Sequence, residues 1–522
     1  MVHLQDLPVE LLKHILSFVA NPVYEPDLKL SDRADPNAKL DRNANSLGKN
    51  DNDIDDDSDE IEDLCNVCLV SQKFRDLAQP LLFRDFLDDG LDGNLSKTIL
   101  FTKTIYRHPD LGKHVRNVSL MPTLFDPSSP DRPTEEDCEL FKRAIRDLQL
   151  GDQEQTWISA MEHADLSVFA ALLVNKTPNL RGLDLPGGQC YMKPFAVLFS
   201  RDPSFLSNLE SVWIECDNEF SGYPIAAYQE LFTRPKLASS TFEYGDLVDA
   251  SFPSTWAPGT LGTEQVVFHN CHIDVGALRK FMQACKKLKS FTYQNFNLSP
   301  DDQRTPSLSS TTEFDAAQAH EAALLHKDTL EHFHLEFERH PWDIEDIEKY
   351  LSSRAKIGSF RDFSVLNTIM LPHAVLPPHP QFPPSLETLH ITDCNSSIWS
   401  LAQLIAKDCK NGLYPKLTEF KVLTIDVTGP IKLPGRRVPR GKTPEECFRD
   451  LQKLFEGTTV DFQILPYQMP NFEDYDDLDD EDEGDEDLGL GAGPPGLDQM
   501  PGLFNLLIQR ALQDPDLAHL RR

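Results

Sequence analysis

The sequence predicts an α/β chain: a small N-terminal helical module, then an irregular solenoid of short strands stacked as a parallel β-sheet horseshoe. Three observations carry this. A six-residue frame, apolar-x-x-apolar-x-apolar, recurs through most of the chain. Two segments near the start carry apolar stripes at helical spacing. The acidic charge is concentrated in two runs that lack the apolar residues needed for a core.

The frame is clearest in Leu386/Leu389/Ile391, and it recurs as Leu180/Leu183/Leu185, Leu209/Val212/Ile214, Leu288/Phe291/Tyr293, Leu330/Phe333/Leu335, Phe360/Phe363/Val365 and Leu417/Phe420/Val422. Val115/Val118/Leu120 is an early copy, and Ser239/Phe242/Tyr244 and Thr263/Val266/Phe268 are weaker ones. Successive units are mostly about 25–30 residues apart, close to the period of leucine-rich repeats. The last three residues of each frame alternate, as in a strand buried on one face. One such strand cannot bury that face alone, but stacked neighbours can. The side chain between the last two apolar residues then points away from the core. That position reads Ser119, Asp184, Trp213, Glu243, Val267, Thr292, His334, Ser364, His390 and Lys421.

Taken in order, Leu7–Val19 reads as a helix with Asp6 as its N-cap and Leu7, Leu11, Leu12, Ile15, Leu16 and Val19 as its stripe. Residues 21–63 hold fourteen acidic and five basic side chains and are expected to be a disordered insertion. From Leu64 two short helices follow, the first with Leu64, Val67 and Cys68. The second is capped by Ser71 and buries Phe74, Leu77, Leu81 and Leu82. Residues 98–120 give a helix, a loop and the first strand, and 134–175 give two helices. The repeats run to about Val427, with intervening helices at Val275–Lys287, Ala316–His326, Ile344–Leu351 and Ile398–Lys410. Ser299–Thr312 and Pro372–Pro384 read as surface loops. Residues 444–465 supply a last helix and strand as a C-terminal cap. Residues 467–522 form an acidic tail, with a short amphipathic helix at 500–513 beyond the flexible Gly489–Gly496 stretch. The domains expected are therefore 1–86, interrupted by 21–63, then 87–466 and 467–522.

The chain has 522 residues and a formal net charge of -34. No basic stripe with interleaved aromatics suggests nucleic acid. No apolar stretch has the ~18 residues of a membrane span. Met1-Val-His-Leu-Gln-Asp lacks a secretory pattern, so a cytoplasmic or nuclear location with reduced cysteines is expected. Cys65-x-x-Cys68 has half of a zinc-site spacing but no second half, and it reads as a buried pair. His269 and Cys271 fall on one strand face and His272 on the other, which disfavours a metal. No phosphate loop, nucleophile elbow or zinc-protease helix is present. No cofactor, metal or catalytic residue is assigned.

Leu7-Pro-Val-Glu-Leu-Leu12, Ile15-Leu16, Cys68-Leu-Val-Ser71, Lys73-Phe-Arg75, Leu77-Ala78 and Leu81-Leu-Phe83 together resemble an F-box, especially that of fungal F-box proteins. The acidic insertion departs from the family's continuous three-helix pattern, at small closure cost for a loop. The resemblance implies a substrate-recognition subunit of a Skp1–cullin–F-box type ubiquitin ligase, itself non-catalytic. Its F-box would bind a Skp1-type adaptor, and through it a cullin–RING ligase, using Leu7, Pro8, Leu11, Ile15, Leu69, Val70 and Phe74. The repeats would hold an unidentified protein substrate on Asp184, Trp213, Glu243, Thr292, His334, His390 and Lys421. A repeat scaffold outside any ligase, or an acidic chaperone of basic proteins, are the alternatives the residues leave open.

Overall fold

The computed structural model describes residues 7–19, 56–88, 95–120, 133–216, 222–295, 314–336, 354–395, 398–426 and 444–466. The expected insertion over 21–55, the loop Ser299–Thr312, the helix Ile344–Leu351 and the tail with its 500–513 helix lie outside these residues, as does the cap expected at Asp6. The chain is α/β and forms two compact units, Met1–Phe314 and Asp315–Arg522. Every strand pairing described is parallel.

The first unit opens with α1 (Val9–Val19), α2 (Asp56–Val70) and α3 (Gln72–Leu82). The second helix begins at Asp56 rather than Leu64, so part of the expected insertion is helical. Its acidic residues fall on the first turns, where the helix dipole favours negative charge. Ser71 caps α3 as expected: its Oγ accepts the Phe74 N–H at 3.3 Å. Leu16 of α1, Leu64 of α2 and Ala78 of α3 share one buried cluster.

After α3 come β1 (Asp85–Asp88), α4 (Ser96–Arg107) and β2 (Asn117–Leu120). Then α5 (Glu135–Asp147), α6 (Glu154–Glu162) and α7 (Leu166–Asn175) stand where two helices were expected. A capping box of Thr134 and Asp137 starts α5, and Lys103 pairs with Asp137 at 2.6 Å. The next elements are β3 (Gly182–Pro186), α8 (Gln189–Arg201), β4 (Ser211–Glu215), β5 (Tyr223–Pro224), α9 (Gln229–Phe232), β6 (Ser239–Glu243), β7 (Gly245–Leu247), β8 (Gln265–His269), β9 (His272–Ile273), α10 (Val275–Ala284) and β10 (Ser290–Gln294). The main sheet of this unit runs β1-β2-β3-β4-β6-β8-β10, and β5-β7-β9 form a second, three-stranded sheet. Register aligns Leu183, Val212, Ser240, Val266 and Phe291 in one core row and Leu185, Ile214, Phe242, Phe268 and Tyr293 in the next. Phe232 of α9 stacks on Phe242, and Phe281 of α10 meets Phe268 edge-on, so these rows face the helices.

One frame and one alternation are corrected here. Tyr244 is not the third apolar member of its frame. It turns left-handed at φ 58° and leads into β7, and the core positions of β6 are Ser240 and Phe242. Asn270 turns likewise at φ 50°, which breaks the alternation expected through Cys271. The Cys271 thiol is buried and lies 3.4 Å from the Phe242 carbonyl.

The second unit holds α11 (Ala316–Ala323), β11 (His332–Glu336), β12 (Thr368–Pro372), β13 (Thr388–Asn395), α12 (Ile398–Lys410), β14 (Glu419–Asp426), α13 (Pro444–Leu454) and β15 (Asp461–Pro466), with strand order β11-β12-β13-β14-β15. The closing helix and strand stand where the cap was expected. Phe333, Ile369, Leu389, Phe420 and Phe462 form its first core row. The strand expected at Phe363–Val365 lies instead at Thr368–Pro372, so Leu366/Ile369/Leu371 is the structural frame and Val365 is exposed. The span Pro372–Pro384 is not a plain surface loop, because Ala374, Val375, Leu376 and Phe382 in it are buried. Among the described residues no single helix is long and apolar enough to cross a membrane.

Candidate functional site

Three surfaces collect the residues singled out in the sequence. On the first, the stripe of α1 divides in two. Leu12 and Leu16 are buried, while Leu11 and Ile15, each one position earlier, remain 50% and 41% exposed. At the far end of α2, Leu69 and Val70 are 76% and 61% exposed. Lys73 Nζ donates to the Leu7 carbonyl at 3.2 Å and ties the start of α1 to the start of α3, beside these two residues. Pro8 is exposed there and Leu7 is half-buried. Six of the seven expected adaptor residues are thus accessible. Phe74 is the exception: it is 5% exposed and belongs to the interior, because the Ser71 cap turns the first face of α3 inward. Cys65 is exposed and Cys68 half-buried, so they are not the buried pair expected.

The second surface is the sheet face of the first unit that points away from the core rows. Register places Leu87, Ser119, Asp184, Trp213, Thr241, Val267 and Thr292 on one rung line. Glu243 is displaced from this line: it aligns with Glu215 and His269 one step further along the strands, and Thr241 takes its place. Trp213, Thr241, Val267, Glu215 and Glu243 are half-buried. Asp184 and Thr292 are buried and offer no accessible surface. β3 and β10 are covered on both faces, as central strands of parallel sheets commonly are.

The third surface, on the second unit, aligns His334, Met370, His390, Lys421 and Gln463. Ser364 lies outside the strands, and Met370 stands where it was expected. His334 is buried, with Nε2 3.6 Å from Glu336, and is not available to a partner. His390 Nε2 lies 2.6 Å from Glu419, and Lys421 Nζ lies 3.2 Å from the same oxygen. Burial opposes the charge on Glu419, yet the bonds from His390 and Lys421 outweigh it and hold the carboxyl below its usual range. Burial likewise lowers His332. Glu419 was missed in the sequence because it fell on a spacer position of its frame. The signal was its spacing of two from Lys421, which puts both on one face.

Among the described residues no group of His, Cys, Asp and Glu is arranged to hold a metal ion. The residues described above leave exposed apolar side chains on the N-terminal helices and mixed polar faces on the strands. Neither the protein-family models nor the curated proteins searched contain a match to this sequence.

Proposed function

We propose that this chain is the substrate-recognition subunit of a Skp1–cullin–F-box type ubiquitin ligase. In this reading α1–α3 are an F-box that docks a Skp1-type adaptor, and the strands belong to a leucine-rich-repeat solenoid whose outer sheet face holds the substrate. The observation that carries it is the seam of Leu11, Ile15, Leu69 and Val70. Four large apolar side chains from segments far apart in sequence stay open to solvent beside a core that is already filled. Exposed apolar groups mark a protein interface where they form one patch, and the Lys73 bond to the Leu7 carbonyl brings the two segments together. The chain acts by proximity, since holding a substrate near a charged conjugating enzyme raises the effective concentration of its lysines. On the strands, half-buried Trp213 is the best anchor, because aromatic side chains dominate binding hot spots.

Co-purification tests this reading. The wild-type chain captures a Skp1-type adaptor, and Ile15→Asp, which places a charge on the seam, loses that capture while its melting temperature holds. Equal capture by both chains overturns the adaptor assignment. Absence of capture by the wild type, with a dimer in sedimentation that Ile15→Asp dissolves, assigns the seam to self-association instead.

A further inference from the structure

Where β12 ends, Pro372 leads into a single 3-10 turn, His373–Val375. Two backbone bonds lay the stretch ahead of β12 alongside this turn and the chain that follows it. The Ile357 N–H donates to the Val375 carbonyl and the Phe360 N–H to the Gln381 carbonyl, both at 2.9 Å. Residues of the first turn of α12 close the remaining side. Together these segments of the second unit enclose a cavity of about 240 Å³. Most of its wall is apolar: Leu376 and Leu401 are buried, and Pro377 and Pro378 extend the same surface outward.

Three polar side chains, Lys356, His373 and Ser400, line this otherwise apolar space. Lys356 Nζ donates to the Ala374 carbonyl, which fixes the ammonium group beside His373. Burial pushes the Lys356 amine below its usual range. Burial first, and then the Lys356 charge, bring the His373 imidazole down to about 4. Near neutral pH the imidazole is therefore uncharged and offers one N–H donor. The described lining thus carries one ammonium, one imidazole and one hydroxyl, and no carboxylate. The positive end of the α12 dipole lies at the same wall and adds to its preference for negative charge. A phosphate would press most of its oxygens against apolar groups, which is costly. A carboxylate has only two oxygens, which one ammonium and one neutral donor satisfy. Its carbon body then continues along the apolar wall. The cavity is smaller than the ~300 Å³ at which drug-sized pockets begin, so that body is short.

We infer that this cavity binds a carboxylate carried on a short apolar body, with Lys356 as its counter-ion and Leu376, Pro378 and Leu401 against the body. A free small carboxylic acid and the C-terminus of a peptide with an apolar last side chain share this chemistry. In the second case the cavity gives the proposed substrate-recognition subunit a substrate class, chain ends. Binding of the carboxylate itself does not depend on that proposed function.

Calorimetric titration of the full chain with isovalerate, with its uncharged amide and with inorganic phosphate tests the site. Isovalerate is expected to bind saturably, and the amide and phosphate to bind about tenfold more weakly or less. Lys356→Gln should lower the isovalerate affinity by about ten- to hundredfold, the range of one hydrogen bond to a charged group. Lys356→Arg, which keeps the charge, should retain most of it. The His373 imidazole resonance, assigned by its loss in His373→Gln, should move as isovalerate is added and so locate the binding. A short peptide ending in a branched aliphatic residue, with a free or an amidated C-terminus, identifies the source. Tighter binding of the free-ended peptide than of isovalerate assigns the cavity to a chain end, and weaker binding assigns it to a small acid. Three results overturn the inference: no binding of either carboxylate to the folded wild-type chain, phosphate or the amide binding as tightly as isovalerate, or isovalerate affinity unchanged in Lys356→Gln. The wild-type titrations and the His373 resonance decide the matter even where Lys356→Gln lowers the melting temperature.

Discussion

Leu69 and Phe74 lie five residues apart and were expected on one surface, yet the structure gives them opposite environments, and paired truncations read the two separately. Phe74 is 5% exposed, and removing a buried phenyl group costs about 3–5 kcal/mol. Phe74→Ala should therefore unfold the α2–α3 pair locally and speed amide exchange there by roughly a hundredfold or more, since every 1.4 kcal/mol is about tenfold. Leu69 is 76% exposed. Full burial of a leucine is worth about 1.5–3 kcal/mol, so covering what remains open contributes roughly 1–2 kcal/mol to a complex. Leu69→Ala should weaken adaptor binding by about five- to thirtyfold in Kd, while alanine's high helix propensity leaves α2 as stable as before. Titration calorimetry with the adaptor and hydrogen exchange on the free chain read the two effects. Slowed or unchanged exchange in Phe74→Ala would refute its place in the core. An unchanged Kd in Leu69→Ala, with the adaptor bound by the parent chain, would refute the seam.

Two further outcomes follow from the same structure. Asp137 is buried by its surroundings, which opposes its charge, but bonds from Lys103 and Thr134 outweigh this and lower its pKa. Its contribution to stability is present above the unfolded carboxylate value of ~3.9 and is lost as pH falls through the lower folded value. Asp137→Asn should cost about 1 kcal/mol at pH 7, on the scale of a lost N-terminal cap, and flatten the acid limb of a melting-temperature profile below about pH 4. A parallel acid limb would show that the pair is not coupled to folding. Trp213→Ala should weaken substrate capture in a quantitative interactome. Because the indole is half-buried beside Asp184 and Thr241, it should also lower stability, by about 1–2 kcal/mol. Full retention of every partner would move the substrate site off this face.

Where every frame position is apolar and no second frame overlaps it, the strand and its register were legible: Leu209/Val212/Ile214 and Leu386/Leu389/Ile391 sit as the alternation predicts. Reading failed where a core position is polar. Ser240, fully buried, occupies the place an apolar residue should hold in β6, so the frame was read two residues late and Glu243 was put on the wrong rung. β1 was missed for the same reason. Asp88 faces inward, where the Thr98 hydroxyl donates to its carboxylate, so Asp-Phe-Leu-Asp shows no apolar alternation. Around Phe360 two frames compete, and Leu366/Ile369/Leu371 wins because Phe360 and Phe363 are buried in the lead-in to the strand. Burial of Asp184, Thr292 and His334 depends on what lies over the outer face, and alternation along one strand carries no information about that.

The two seams of α1 divide one periodicity between a buried face and an exposed face, and the proposed function assigns the exposed one to recognition. Leu12 and Leu16 recur at helical spacing and are buried, Leu16 in one cluster with Leu64 and Ala78. Leu11 and Ile15 repeat the same spacing one residue out of phase. In the free chain they add open apolar surface, which favours unwanted association. Leu69 and Val70 extend that surface from a second segment, and Lys73 spends its ammonium group on the Leu7 carbonyl to hold the two together. The strong net negative charge works against indiscriminate association through this seam. The seam is then left to a partner that can cover apolar groups. On the proposed reading an adaptor surface with its own apolar groove meets that requirement, whereas a basic protein drawn by charge would be held by carboxylates and leave these apolar groups uncovered.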